Sequence, residues 1–254
     1  MVVVAHPDDD AYGCAGTVAL HADDPRFRFL LVHATDGEAG RIAPGSNATR
    51  KTLGAIRREE DRRAWQVLGR QPDRHEWLGY PDGGLAELPL EELVDRIAVI
   101  LAEERPDVVL TFGPDGITGH PDHITVGQAT TQAFLRHAGD DGPGLRRLVH
   151  GAIRQSVIDR FNARRVARGM QPWDPTRIYH LRGIPDERID VDIDTSGVAH
   201  RVRAAMLEHR TQWEDVNSTL FTDSQKVKAV SREPGVIAWP GRPGRILRDL
   251  FEDL

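Results

Sequence analysis

Apolar residues along this chain follow two rhythms: short unbroken runs, and longer stretches in which they recur every three or four positions. The runs Val2–Ala5, Phe27–Ala34 and Val108–Phe112 end in polar, Gly- or Pro-containing clusters, which predicts buried strands. Helical spacing predicts helices over about Asp10–His21, over Thr49–Leu68 with Gly69 as a stop, over Leu90–Glu104 closed by Pro106, and from His120 to about His137. Strand and helix therefore alternate through the first 137 residues. That alternation predicts an α/β fold with a mostly parallel, doubly wound sheet and its ligand crevice at the C-terminal strand ends. From Gly139 onward the period is less regular. A strand is expected near Leu148–Val157, then a basic helix with Arg154, Arg160, Arg164, Arg165 and Arg168, a strand near Ile189–Ile193 and a helix over Val198–Gln212. With no internal repeat, residues 1–254 are read as a single domain: 1–137 form the core, and 138–254 add strands, helices and pocket-shaping loops.

Composition narrows the function classes. A chain of 254 residues with 39% hydrophobic and 28% charged residues is an ordinary folded protein, neither disordered nor fibrous. Its net charge of −6 gives no broad attraction to phosphate backbones or anionic lipid, so neither nucleic acid nor membrane is expected as a partner. The single cysteine, Cys14, excludes an intrachain disulfide and a Cys-based zinc cluster, and favours a reducing compartment. No stretch approaches 18 consecutive apolar residues and no basic-then-apolar leader is present, so the chain is read as soluble and cytoplasmic.

The candidate chemistry lies in two polar clusters at predicted strand ends. His6-Pro7-Asp8-Asp9-Asp10 crowds three carboxylates beside an imidazole, and a cation is what makes such a cluster favourable. His6 and Asp9, three apart in a tight turn, can converge on one ion and leave Asp8 to point elsewhere. His120-Pro121-Asp122-His123 adds two imidazoles on one face of a helix start. Two histidines and one carboxylate with an open fourth position are the ligand set of a catalytic zinc, and the motif alone leaves open whether His120 or His123 is the second histidine. Asp8 suits the base that deprotonates an attacking water, and a remaining imidazole, partnered by Asp122, suits the oxyanion or the leaving nitrogen. Gly13-x-x-Gly16 lacks the third glycine of a dinucleotide fingerprint. The other histidines weighed, His33 and His75 among them, stand singly and are read as structural.

These residues resemble a known family. Ala5-His6-Pro7-Asp8-Asp9, Gly13-Cys14-Ala15-Gly16-Thr17 and Gly119-His120-Pro121-Asp122-His123 look like the PIG-L/LmbE-like zinc-dependent N-acetylglucosamine deacetylases. Thr35-Asp36-Gly37-Glu38, Arg57 before Glu60, Leu78 to Leu85, and Glu208 to Gln212 extend the match over most of the chain. The resemblance implies a Rossmann-like fold and a metal, Zn2+ with Fe2+ as the alternative, held by His6, Asp9 and His123. It further implies Asp8 as general base, His120 oriented by Asp122, and Arg57 and Asp82 at sugar hydroxyls. The implied activity is removal of an N-acetyl or related acyl group from a glucosamine-type sugar conjugate, a small molecule. Rival readings are an amidase on a larger sugar-thiol conjugate, or an inactive metal- or sugar-binding protein of this fold. Relatives assemble as trimers or hexamers, so a homo-oligomer is expected. Thr118 stands where the mycothiol-type enzymes carry a Tyr, which bears on the substrate more than on the reaction.

Overall fold

The structure, a computed structural model, describes residues 1–212 and 221–254. Its first elements are β1 (Val2–Val4), α1 (Asp9–Gly13), α2 (Ala15–Leu20), β2 (Leu30–Thr35), α3 (Leu53–Leu68) and β3 (Arg74–Tyr80). These are followed by α4 (Leu90–Glu104), β4 (Val108–Phe112), α5 (Gly116–Gly119), α6 (Pro121–His137), β5 (Arg147–Gly151) and α7 (Gln155–Val166). Last come β6 (Val191–Asp194), α8 (Ala199–Met206), α9 (Asp223–Ala229) and β7 (Arg232–Trp239). The chain forms two compact units, Met1–Leu85 with Asp194–Glu233, and Ala86–Ile193 with Pro234–Leu254.

In the first unit the strands lie in the order β3-β2-β1 and pair in parallel, Val4 opposite His33 and His33 opposite Trp77. Every residue of β1 and β2 is buried, as their unbroken apolar runs predict for strands covered on both faces. β3 is the outer strand and half-buried, carrying Arg74, His75 and Glu76, which is why its pattern does not announce a strand. α3 begins at Leu53, later than the predicted Thr49, and buries Leu53, Ala64, Trp65 and Leu68 before Gly69 stops it in the left-handed conformation. The predicted helix Asp10–His21 is two helices, because Cys14, at φ −149°, breaks the helical backbone. The buried Glu233 carboxylate accepts from the Gly16 and Thr17 N–H groups at 2.6 and 2.9 Å, satisfying donors at the start of α2. The predicted helix Val198–Gln212 ends at Met206 and resumes as a single turn at Arg210–Gln212. There the Thr211 N–H and hydroxyl both donate to Glu60, at 2.8 and 2.6 Å.

In the second unit β4 and β5 are parallel, Leu110 opposite Val149, and β7 runs antiparallel to β5 with β6 beyond it. The strand expected over Leu148–Val157 stops at Gly151, and Gln155 opens α7, which takes up most of the basic stretch. α6 lies close on β4 because residue 127 is glycine: a Cβ there would stand 2.5 Å from the Phe112 carbonyl oxygen. β7 contains Pro234 and Gly235, poor strand formers, and was not apparent in the pattern. The first unit has the parallel α/β build that strand–helix alternation predicts, and in the second the parallel pair β4 and β5 is extended by the antiparallel β7. Among the described residues no helix is long and apolar enough to cross a membrane.

Candidate active site

Every predicted catalytic and metal residue lies after the C-terminal end of a parallel strand. In the first unit the turn after β1 carries His6, Asp8 and Asp9. Asp8 has φ 110°, a region costly for any residue but glycine, and its N–H donates to Asp10 Oδ1 at 3.3 Å. Asp10 is itself held by the Trp65 indole N–H at 2.7 Å. His6 is buried, with Nδ1 3.3 Å from Asp9 Oδ2 and Nε2 2.9 Å from Asp82 Oδ1. The other Asp82 oxygen accepts from the Ala39 N–H at 2.8 Å. Burial pushes the Asp82 carboxyl up, but the bond from His6 and that from Ala39 outweigh it and leave it below the usual carboxylate range.

Asp8 Oδ2 lies 3.2 Å from Arg57 Nη2. The Arg57 guanidinium is buried and also donates to the Pro7 carbonyl at 2.5 Å and the Gly37 carbonyl at 2.9 Å. Gly37 has to be glycine here, since its φ is 65° and a Cβ would stand 2.3 Å from Arg57 Nη1. Burial pushes Asp8 up to about 7, with Arg57 pulling against it and Asp9 adding to it. Arg57 and Asp82, expected at sugar hydroxyls, are both engaged by protein groups, Arg57 with Asp8, Pro7 and Gly37 and Asp82 with His6 and Ala39.

The second unit holds the other three predicted residues at the start of α6. His120 caps the helix, its Nδ1 accepting the Asp122 N–H at 3.1 Å, which puts the proton of the neutral ring on Nε2. Asp122 is fully buried, and its backbone amide makes the bond to His120 Nδ1 that sets this tautomer. His123 Nδ1 lies 3.0 Å from the Gly116 carbonyl oxygen. A carbonyl only accepts, so His123 carries its proton on Nδ1 and a lone pair on Nε2. Its ring stacks on Phe112 with centroids 4.2 Å apart and beside His120 at 4.9 Å, as a spacing of three on one helix face requires. Sequence reasoning missed Tyr179, whose ring stands edge-on to His120 at 5.3 Å. Its N–H donates to the Thr118 carbonyl at 2.9 Å, and its side chain is 72% exposed. No local motif marks it, because only the loop's path brings it to α6.

His6 and His123 are thus each pinned at one ring nitrogen by an acceptor, a carboxylate for His6 and a carbonyl for His123. That is the way proteins orient imidazoles for metal binding. His6 and Asp9 in the first unit and His123 in the second each offer a donor atom of the kind that zinc takes. The first unit brings His6, Asp8, Asp9, Arg57 and Asp82 together, and the second brings together His120, Asp122 and His123.

Residues 1–134 match the family described as PIG-L: GlcNAc-PI de-N-acetylase. The chain is 31% identical over 246 residues to a 1D-myo-inositol 2-acetamido-2-deoxy-alpha-D-glucopyranoside deacetylase of Kineococcus radiotolerans, an alignment covering 84% of this chain and 68% of that one. An identically described enzyme of Thermobifida fusca is 30% identical over 238 residues, covering 84% and 82%. Among solved structures, N,N'-diacetylchitobiose deacetylase from Pyrococcus horikoshii matches with a TM-score of 0.61 at 23% identity, over 93% of this chain and 82% of that one. This last likeness concerns the fold.

Proposed function

The chain belongs to the PIG-L family, and on that premise we propose that His6, Asp9 and His123 hold its catalytic metal, zinc, with iron(II) as the alternative. The protein is a hydrolase that removes an N-acetyl group from a small glucosamine-type conjugate, in a metal-dependent reaction. The observation that carries the ligand assignment is the tautomer of each histidine: Asp82 occupies Nε2 of His6 and leaves Nδ1 toward Asp9, and Gly116 occupies Nδ1 of His123. When bound, such an ion acidifies a water and polarises the acyl carbonyl. Asp8, adjacent to a ligand without being one and aimed by Arg57, takes the proton of the attacking water. His120 presents an Nε2–H to the developing oxyanion or the leaving nitrogen, and Asp122 sets that tautomer through its amide. Arg57 and Asp82 serve the substrate indirectly, through Asp8 and His6.

The same reading treats residues 1–254 as one deacetylase domain, cytoplasmic and assembled as a trimer or hexamer. The free, buried Cys14 is compatible with a reducing compartment. As substrate it favours an N-acetylglucosaminyl-inositol, by similarity to the named relatives. The test is metal analysis together with release of free amine from a panel of N-acetylglucosamine conjugates. His123→Ala should lose the catalytic metal and all activity, while His120→Ala should keep the metal and lose turnover. Equal metal retention in both variants would sink the ligand assignment, and a metal-replete parent that frees no amine from any conjugate would sink the substrate class.

A further inference from the structure

Behind the turn that carries Asp8, the first unit buries a second cluster of metal-binding side chains that the proposed reaction does not use. The parallel register sets His33 of β2 opposite Trp77 of β3, with His75 two residues before it on the same side of the strand. Both imidazoles stack on Trp77 with centroids 4.5 Å away. Asp61 of α3, one helical turn from Arg57 and one from Trp65, projects toward the pair. His33 Nδ1 lies 2.9 Å from His75 Nε2, and His75 Nε2 lies 3.9 Å from Asp61 Oδ2. One donor atom from each of the three residues falls within 4.8 Å of the others.

Asp61 is what the surroundings do not explain. Its side chain is fully buried beside the Asp10 carboxyl; apart from that carboxyl neither oxygen has a hydrogen-bond partner among the described residues, and its ion-pair neighbours are both imidazoles, His33 Nε2 at 4.0 Å and His75 Nε2 at 3.9 Å. A second buried carboxylate, Asp10, stands 3.5 Å from His33 Nε2. Two buried carboxylates among imidazoles are costly unless a cation balances them.

We propose that His33 Nδ1, His75 Nε2 and a carboxylate oxygen of Asp61 bind a second divalent cation of the zinc class, distinct from the catalytic one and independent of its assignment. Tetrahedral zinc with bonds of roughly 2.0–2.2 Å holds its donor atoms about 3.3 Å apart; the His33–His75 and His75–Asp61 separations are 2.9 and 3.9 Å and all three donors fall within 4.8 Å of one another, so the carboxylate draws in when the ion binds. The outer nitrogen of His33 faces Asp10, the carboxylate–imidazole arrangement that orients a metal-bound histidine. The 22% exposure of the His75 side chain gives an entry route. Such an ion ties β2, β3 and α3 together. Through Asp10, which accepts from both Trp65 and the Asp8 N–H, it also braces the catalytic turn. The rival arrangement is metal-free: Asp61 keeps a proton and shares it with Asp10.

The experiment counts zinc by elemental analysis in protein loaded with zinc and then freed of excess by gel filtration. The parent should carry two equivalents, Asp61→Asn and His75→Gln about one each, and the double variant His75→Gln/His123→Ala almost none. Asp61→Asn preserves shape, and the partly exposed His75 is a second probe should Asp61→Asn not fold. Zinc should also raise the melting temperature of His123→Ala but not that of His75→Gln/His123→Ala. A parent holding one equivalent that His123→Ala abolishes would overturn the second site and leave the catalytic one intact. Unchanged stoichiometry in Asp61→Asn and His75→Gln would overturn it as well.

Discussion

Asp8 shows how a single residue separates a catalyst from a binder. It is strained at φ 110°, paired with Arg57, and next in sequence to Asp9. Asp8→Asn keeps its size and cannot accept the water's proton, so turnover per bound metal should fall about 10²–10⁴-fold with metal content unchanged. A loss of only a few-fold would remove Asp8 as the base. Tyr179 poses the reverse case, a side chain that no motif announces. Thr118 lacks the phenol that mycothiol-type relatives carry before their second histidine motif, and Tyr179 brings one to the edge of His120 through a bond to the Thr118 carbonyl. Tyr179→Phe should lower kcat roughly tenfold, about the worth of one hydrogen bond, and leave KM and metal content near the parent. Steady-state kinetics of the variant decide, and an unchanged kcat would make Tyr179 a bystander.

At the scale of elements, α3 and α6 position the chemistry of their units. α3 presents Arg57, Asp61 and Trp65 along one face, and each is buried against a group of the turn after β1 or of the neighbouring strands. α6 depends on a close approach. Phe112 of β4 stacks on His123, and Gly127 lets the helix lie against the Phe112 carbonyl. Gly127→Ala adds a methyl that backbone must move to accept, a cost of about 1–3 kcal/mol. Chemical denaturation should show that loss. Because α6 must shift off β4, the variant should also bind the catalytic metal more weakly, and parental stability with parental affinity would refute the account.

For the whole molecule, the fully buried His209 makes stability depend on acid. Burial pushes His209 down to about 4, and among the described residues neither of its ring nitrogens has a hydrogen-bond partner. Below pH 6.5 an unfolded histidine takes up a proton that the folded one refuses until about pH 4. Stability is therefore complete above pH 6.5 and lost as pH falls through that window, at up to about 1.4 kcal/mol per pH unit for each such group. His209→Gln should flatten the dependence of unfolding free energy on pH between about 6.5 and 4. A variant with the parent's slope would mean that His209 does not set it.

The sequence by itself determined the parallel α/β class, β1, β2 and β4, the helices that follow them, and the two histidine motifs. Buried parallel strands are unbroken apolar runs, and side chains three residues apart need only a turn to share a face. Tertiary structure decided β3, which as an outer strand tolerates charges, and β7, which pairs antiparallel despite Pro234 and Gly235. It also decided that Arg57 pairs with Asp8 and Asp82 with His6, that the Asp122 amide bonds to His120, and that His33, His75 and Asp61 meet. Periodicity reports which side of an element is buried. Which buried sides face one another depends on packing between residues far apart in the chain, and these ion pairs, Tyr179 and the second cluster all arise there.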